Sequence, residues 1–171
     1  MKALMIIAQN GYQPKEYSVP KKILEDAGIE VITASKKVGI CQSTDKTTTE
    51  AIISIDDINV SDYDAIIFIG GPGATIYQKD VQAHLTCQEA INRGKVLAAI
   101  CIAPLTLAYA DVLEGKKVTV WNEDNMQSVI LERQGAIYTG NAIEVDGKII
   151  TANGPQAAEE FGKKILELLN P

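Results

Sequence analysis

Four short apolar runs recur along the first hundred residues, and longer, more polar segments separate them. The runs lie at residues 3–8, 31–34, 65–69 and 96–100. They show little alternation between apolar and polar positions, which is typical of parallel strands that are covered on both faces. The pattern therefore predicts the strands of a mainly parallel sheet.

Helical periodicity occupies the segments between and after these runs. Residues 14–27 carry a helical pattern that stops at Gly28, and residues 81–92 carry one that stops near Gly94. Residues 156–169 place apolar side chains on one stripe and Glu–Lys pairs on the opposite side. We therefore predict three helices that pack against the sheet.

Two further segments suggest hairpins. Residues 142–152 are predicted to form one, with Asp146 and Gly147 as its two-residue turn. Residues 35–60 look irregular, and we expect a short accessory hairpin around residues 51–55.

Alternating strands and helices predict a single α/β domain over residues 1–171, a three-layer α/β/α sandwich with a mainly parallel central sheet. A flavodoxin-like strand order of 2-1-3-4 would make the first, third and fourth strands neighbours. Ligands of open α/β sheets bind outside the carboxyl ends of the strands. The polar corners that follow these three strands are therefore expected to meet in one site.

Cys101 follows the fourth apolar run and precedes a helical pattern. A sharp strand-to-helix turn would hold its sulfur at a helix N-terminus, where partial positive charge lowers the pKa of a thiol. The alternative is a structural cysteine that packs as a small apolar side chain. Position alone leaves both interpretations open.

Two other corners could supply partners for Cys101. Glu16 is either a solvated helix residue or, if it points toward the sulfur, a carboxyl that keeps its proton and donates it to the thiolate. The sequence GGPG begins at Gly70, and its Gly71 N–H together with that of Ile102 could form an oxyanion hole. A plain turn is the alternative for the glycines.

Composition limits the classes of function. The net charge of −6 disfavours binding to nucleic acid or to anionic lipid, and no apolar run is long enough to span a membrane. The thiols of Cys41, Cys87 and Cys101 lack paired CxxC spacing, and His84 is the only histidine. We therefore expect a cytoplasmic protein without a metal site, and without a phosphate loop that would hold a nucleotide cofactor.

Taken together, these corners resemble the ThiJ/PfpI superfamily, which includes protein deglycases and intracellular proteases. "AAICIAPLTLA" is similar to that family's cysteine elbow, and "IFIGGPGA" to its glycine turn. "PKEYSVPKKILEDAGIEVITAS" places Glu16 where the family has a buried glutamate, and "DGKIITANGPQAAEEFGKKILELL" resembles its closing hairpin and helix.

The resemblance implies a glutamine-amidotransferase-like, flavodoxin-like fold, a homodimer or larger homo-oligomer, and a small aldehyde or its adduct as substrate. It implies catalytic roles for Cys101 and Glu16. Where the family has a histidine partner, this chain has Trp121 or Asn122, and the residue after the cysteine is Ile102. Trp121 and Asn122 are also candidates for the lining of the pocket, together with Gly70 and Asn153.

Two functions of different classes follow. The first is a cysteine-dependent glyoxalase or deglycase, in which Cys101 attacks a reactive carbonyl and Glu16 transfers protons. The second is a non-catalytic redox or stress sensor, or a chaperone-like protein, that responds through oxidation of Cys101. A cysteine peptidase is less favoured, because no Cys–His dyad is evident in the sequence.

Overall fold

The computed structural model describes residues 1–170 as twelve strands and five helices. The strands are β1 Lys2–Ile6, β2 Asn10–Tyr12, β3 Glu30–Ser35, β4 Gly39–Ser43, β5 Thr48–Ala51, β6 Ile53–Ser54, β7 Ala65–Phe68, β8 Val96–Ile100, β9 Lys117–Val118, β10 Ile137–Tyr138, β11 Ile143–Asp146 and β12 Ile149–Ala152. The helices are α1 Pro14–Asp26, α2 Val81–Asn92, α3 Pro104–Tyr109, α4 Met126–Arg133 and α5 Ala158–Leu169. Short 3₁₀ segments lie at Ile55–Asp57, Val60–Asp62, Pro72–Lys79 and Pro155–Ala157.

The central sheet has seven strands in the order β11-β12-β8-β7-β1-β3-β6. All neighbours pair in parallel except β11 and β12. The four strands predicted from the apolar runs are β1, β3, β7 and β8, and they lie side by side in the order expected for a flavodoxin-like sheet. The prediction of a mainly parallel α/β fold is confirmed.

Both faces of the sheet are buried, as the unalternating strands indicated. In β1, Leu4 and Ile6 belong to one apolar cluster, with side chains of α2 and α3, whereas Ala3 and Met5 belong to the other, with side chains of α1 and α5. Burial on both sides removes apolar surface from water along the whole strand, which is the main stabilising term for such a layer. The result is the three-layer arrangement.

The predicted position of the accessory hairpin, around residues 51–55, is wrong. The hairpin pairs β4 with β5, and β2 joins it to complete a separate three-stranded sheet. β6, which lies in the predicted position, is instead the edge strand of the central sheet. The pattern misled because β4 and β5 carry polar, largely exposed side chains and therefore look like a loop.

The turn of the closing hairpin is also shifted by one residue. Asp146 pairs with Ile149, so the two central residues are Gly147 and Lys148 rather than Asp146 and Gly147. Gly147 adopts φ 61°, a conformation that glycine reaches without steric cost. Asp146 instead accepts hydrogen bonds from the Lys117 N–H and the Lys116 ammonium group, which attach the hairpin to β9.

Strands β9 and β10 pair in parallel apart from the central sheet, and α4 connects them. This small unit forms one wall of the cavity described below. Among residues 1–170, no helix has the length and apolar character that crossing a bilayer requires.

Candidate active site

Cys101 lies at the sharp turn between β8 and α3, with φ 65°. A residue with a Cβ atom rarely adopts this left-handed conformation, which costs of the order of 1–3 kcal/mol and persists only where neighbouring structure enforces it. Here two hydrogen bonds fix the turn, from the Cys101 N–H to the Ala152 carbonyl at 2.9 Å and from the Trp121 N–H to the Cys101 carbonyl at 2.8 Å. The strained turn presents a partly exposed, free thiol above the sheet.

Glu16 lies in the first turn of α1 and is fully buried. Its Oε2 accepts a hydrogen bond from the Gly70 N–H at 3.1 Å, and its carboxyl group contacts the Cys101 thiol. The Gln13 N–H donates to the Gly70 carbonyl at 3.0 Å, so the corner after β1 and the corner after β7 are joined twice. The structure therefore brings together the two side chains that the sequence proposed as partners.

Burial shifts the titration of both groups upward. Loss of water raises the pKa of Glu16 from its ordinary 4.5 to about 7, although hydrogen bonds from Cys101 and Gly70 oppose the change. Loss of water and the nearby carboxylate raise the pKa of Cys101 to about 12. The expectation of a lowered pKa for Cys101 is therefore wrong, because burial and the Glu16 carboxylate outweigh the N–H groups of Gly71 and Ile102.

The two groups titrate as one pair. Above about pH 7 the pair holds a single proton, and that proton can reside on the Glu16 oxygen or on the Cys101 sulfur. The thiolate that a nucleophile requires is thus one tautomer of the pair, with Glu16 as the proton carrier.

The backbone N–H groups of Gly71 and Ile102, predicted to form an oxyanion hole, act on the Cys101 side chain and lower the pKa of its thiol. Gly71 adopts φ 101°, and a Cβ atom there would lie 2.5 Å from the Gly11 carbonyl oxygen, so only glycine fits this close approach. In the free protein these donors therefore stabilise negative charge on sulfur.

A cavity of about 800 Å³ opens beside Cys101. Of the predicted lining residues, Trp121, Asn122 and Asn153 line it. Gly70 is buried outside the lining and acts through its hydrogen bond to Glu16. The lining residues that the sequence did not indicate include Gln13, Thr44, Pro72, Thr75, Val120, Glu123, Gln127, Tyr138, Pro155 and Gln156.

Asn122 has a structural task in addition to lining the cavity. Its Oδ1 accepts from the Ser128 N–H at 3.0 Å, and its Nδ2 donates to the Ser128 hydroxyl at 3.0 Å. These bonds satisfy a free N–H near the start of α4, as a capping side chain does. The asparagine that stands near the family's histidine position therefore holds the wall of the cavity in place.

No imidazole group lines the cavity. The single histidine, His84, lies in α2, and its Nε2 is 3.0 Å from the Gln78 carbonyl oxygen. Within residues 1–170, no cluster of three or more His, Cys, Asp or Glu side chains could hold a metal ion. Glu16 is thus the ionisable side chain that contacts the sulfur.

The fold and this strained cysteine turn define an α/β protein of the DJ-1/PfpI class. The family model for DJ-1/PfpI matches residues 1–168, and the chain belongs to that family.

Named proteins match along nearly the whole chain. An uncharacterized protein of Methanocaldococcus jannaschii is 35% identical over 98% of this chain and 82% of its own length. Protein/nucleic acid deglycase 2 of Escherichia coli K12 is 27% identical over 98% of both chains. The crystal structure of a ThiJ/PfpI domain protein from Brachyspira murdochii superimposes with a TM-score of 0.94 at 25% identity, over 99% of this chain and 96% of that one.

Proposed function

We propose that the protein is a cysteine-dependent enzyme of the glyoxalase or deglycase type, acting on small reactive aldehydes or their early adducts. The observation that carries this proposal is the strained turn that sets the Cys101 sulfur against the buried carboxyl of Glu16 and the N–H groups of Gly71 and Ile102. A relative of similar length bears the name deglycase, which supports the same class of chemistry.

The proposed reaction begins with addition to the carbonyl group. The proton of the pair moves to Glu16, the Cys101 sulfur forms a bond to the aldehyde carbon, and the carbonyl oxygen takes up the proton. The product is a hemithioacetal. As the sulfur becomes bonded to carbon, the N–H groups of Gly71 and Ile102 are released to hydrogen-bond the developing oxyanion.

For an α-oxoaldehyde, Glu16 then acts as the base. Its carboxylate removes the proton from the carbon bonded to sulfur and returns it to the neighbouring carbon, while the hydroxyl proton passes to the neighbouring carbonyl oxygen, which converts the hemithioacetal into a thioester. Water hydrolyses the thioester, releases a 2-hydroxy acid and regenerates the thiol. Methylglyoxal and one water thus give lactate, and no external oxidant or reductant is required.

The test is lactate production from methylglyoxal by purified protein. Wild type should produce lactate, whereas Cys101→Ser should lose the activity and Glu16→Gln should retain less than about one hundredth of it, the usual effect of removing a general base. Cys41→Ala is the matched control, since Cys41 is a buried thiol outside the cavity. Inactive wild type against a panel of small aldehydes would refute the enzymatic proposal.

A second candidate is a redox or stress sensor in which peroxide oxidises Cys101 to the sulfenic and then the sulfinic acid. The absence of an imidazole among the described lining residues favours it, since the family's histidine partner for the cysteine has no counterpart there. Stoichiometric oxidation of Cys101 by limiting peroxide, in a protein that turns over no aldehyde, would support the sensor. A cysteine peptidase is disfavoured because the described lining residues include no imidazole to pair with Cys101.

We also propose a cytoplasmic homodimer, as the sequence suggested. Sedimentation should give a mass of twice the 18.4 kDa of one chain. A mass of one chain at micromolar concentration would contradict the dimer.

A further inference from the structure

The charged side chains that line the cavity all have the same sign. Glu16 and Glu123 are acidic, and the described lining residues include no lysine, arginine or histidine. The remaining polar groups are uncharged, chiefly amides and hydroxyls. A cavity of this composition holds no group that could pair with an anion, and its carboxylates repel one.

An unsatisfied hydrogen-bond acceptor points in the same direction. Among residues 1–170, the buried Oε1 of Gln127, which lines this cavity outside the Glu16–Cys101 pair, has no hydrogen-bond partner. A buried acceptor without a donor costs free energy that a ligand can recover. A matching ligand supplies O–H or N–H donors. At neutral pH, carboxylate and phosphate groups have few such donors or none.

We propose that the cavity selects uncharged carbonyl compounds that carry hydroxyl or N–H donors, and excludes carbonyl compounds that carry a carboxylate or a phosphate. Gln127 is the specificity-determining residue, because its amide oxygen accepts a hydrogen bond from the substrate. This choice of substrate rests on the proposed carbonyl chemistry, whereas the exclusion of anions rests on the cavity alone.

Thiol-directed reagents of opposite charge test the exclusion without requiring any turnover. Cationic and anionic methanethiosulfonates both transfer a thioalkyl group to the Cys101 sulfur, forming a disulfide and releasing methanesulfinate, while the thiol proton goes to solvent. Cys41 and Cys87 are fully buried, so Cys101 is the thiol that responds. At about pH 8 we compare the ratio of the cationic to the anionic reaction rate at Cys101 with the same ratio on a small free thiol. The ratio at Cys101 should be at least about fivefold higher, because the cavity carboxylates attract the cationic reagent and repel the anionic one.

Three variants separate the cavity from the general negative charge of the protein. Glu123→Gln should bring the ratio closer to that of the free thiol, and Gln156→Lys, which adds a cation at the exposed edge of the lining, should lower it further. Glu132→Gln removes the same charge from α4 outside the lining and should leave the ratio unchanged. A wild-type ratio equal to that of the free thiol, or an equal effect of Glu132→Gln and Glu123→Gln, overturns the proposal.

Quenching of tryptophan fluorescence provides a second measurement if the thiol reacts too slowly. Trp121 is the only tryptophan and lines the cavity. Caesium should quench it more than iodide does, relative to free tryptophan, and Gln156→Lys should reduce the difference. Equal quenching by the two ions would contradict the exclusion of anions.

Steady-state kinetics test the choice of substrate. Hydroxypyruvaldehyde, an uncharged α-oxoaldehyde with a hydroxyl donor, should be converted with a kcat/KM at least about tenfold above that of its phosphate ester, and Gln127→Leu should raise KM for hydroxypyruvaldehyde more than it lowers kcat. If the cationic reagent reacts faster at Cys101 as expected but no aldehyde is converted, the proposed function fails and the exclusion of anions stands. If the phosphate ester is the better substrate, the inference fails and the carbonyl chemistry stands.

Discussion

Gly70 and Cys101 approach each other so closely that a Cβ atom on Gly70 would lie 2.5 Å from the Cβ of Cys101. The same atom would lie 2.6 Å from Oε2 of Glu16 and 2.7 Å from the Ile100 carbonyl oxygen. Hydrogen bonds to Glu16 and Gln13 hold the Gly70 backbone in place, and hydrogen bonds to Ala152 and Trp121 hold that of Cys101. The contact between Glu16 and Cys101 therefore depends on the absence of a side chain at position 70.

Gly70→Ala should disrupt the site and destabilise the fold. Overpacking of this kind costs about 1–3 kcal/mol, and the carboxyl and thiol should separate, so Cys101 should lose its coupling to Glu16. Urea unfolding and the pH profile of thiol alkylation measure the two effects. Gly115→Ala is the matched control, since Gly115 has φ 70° and no atom near its Cβ position, so this variant should lose stability without a change at Cys101. An unchanged alkylation profile in Gly70→Ala would refute the role assigned to Gly70.

The raised pKa of Glu16 predicts a specific dependence of stability on pH. The folded protein holds this proton up to about pH 7, whereas the unfolded chain releases it near 4.5. The stabilising contribution is thus complete below pH 4.5 and is lost as the pH rises through about 7, by about 3 kcal/mol in total. Glu16→Gln lacks this titration and serves as the reference.

The measurement is the free energy of urea unfolding for both proteins between about pH 4 and about pH 8. The other titrating groups are the same in both proteins, so their contributions cancel when the two unfolding free energies are subtracted. Wild type should lose about 3 kcal/mol relative to Glu16→Gln over this range. A constant difference would mean that Glu16 has the same pKa in the folded protein as in the unfolded chain.

The coupled pair predicts how the reactivity of Cys101 depends on pH. In wild type, alkylation should rise through about pH 7, where the pair loses its first proton. Glu16→Leu leaves one buried thiol, and its single midpoint should lie between about 7 and about 12. Glu16→Gln, whose amide can donate to the thiolate, should have a midpoint below that of Glu16→Leu. Identical profiles in all three proteins would exclude the coupling.

Reactivity should differ sharply among the three thiols. Cys41 and Cys87 are fully buried, and burial raises the pKa of both, whereas Cys101 is partly exposed. Under limiting iodoacetamide or peroxide, Cys101 should be modified at least about tenfold faster than either of the others, since the thiolate is the reacting form and must be reached by reagent. Mass spectrometry of the digested protein reads out each site. Comparable modification of Cys87 would identify Cys101 as a structural cysteine.

The sequence predicted those parts of the molecule that depend on local pattern. Unalternating apolar runs identified β1, β3, β7 and β8, and the boundary between strand and helix located Cys101. The resemblance to the family's buried glutamate predicted that Glu16 lies beside the sulfur. Each of these signals lies within a few residues of the element it predicts.

The parts that were missed depend on contacts distant in sequence. The pKa of Cys101 could not be predicted, because the loss of water around the thiol results from packing by segments across the whole chain. Gln127 could not be identified, since an ordinary helix glutamine becomes significant only when its oxygen is buried without a donor. The hairpin of β4 and β5 was missed because its exposed polar side chains carry no apolar signal.

The turn at Cys101 has a consequence for the order of biosynthesis. Its left-handed backbone is held by hydrogen bonds to Trp121 and Ala152, which both follow it in the chain. Because a growing polypeptide folds from its N-terminal end, the cysteine leaves the ribosome before either of these partners. Until they arrive, we expect the residue to adopt an ordinary backbone conformation and its thiol to behave like that of a free cysteine. We therefore expect the site to form only after β12 has been synthesised.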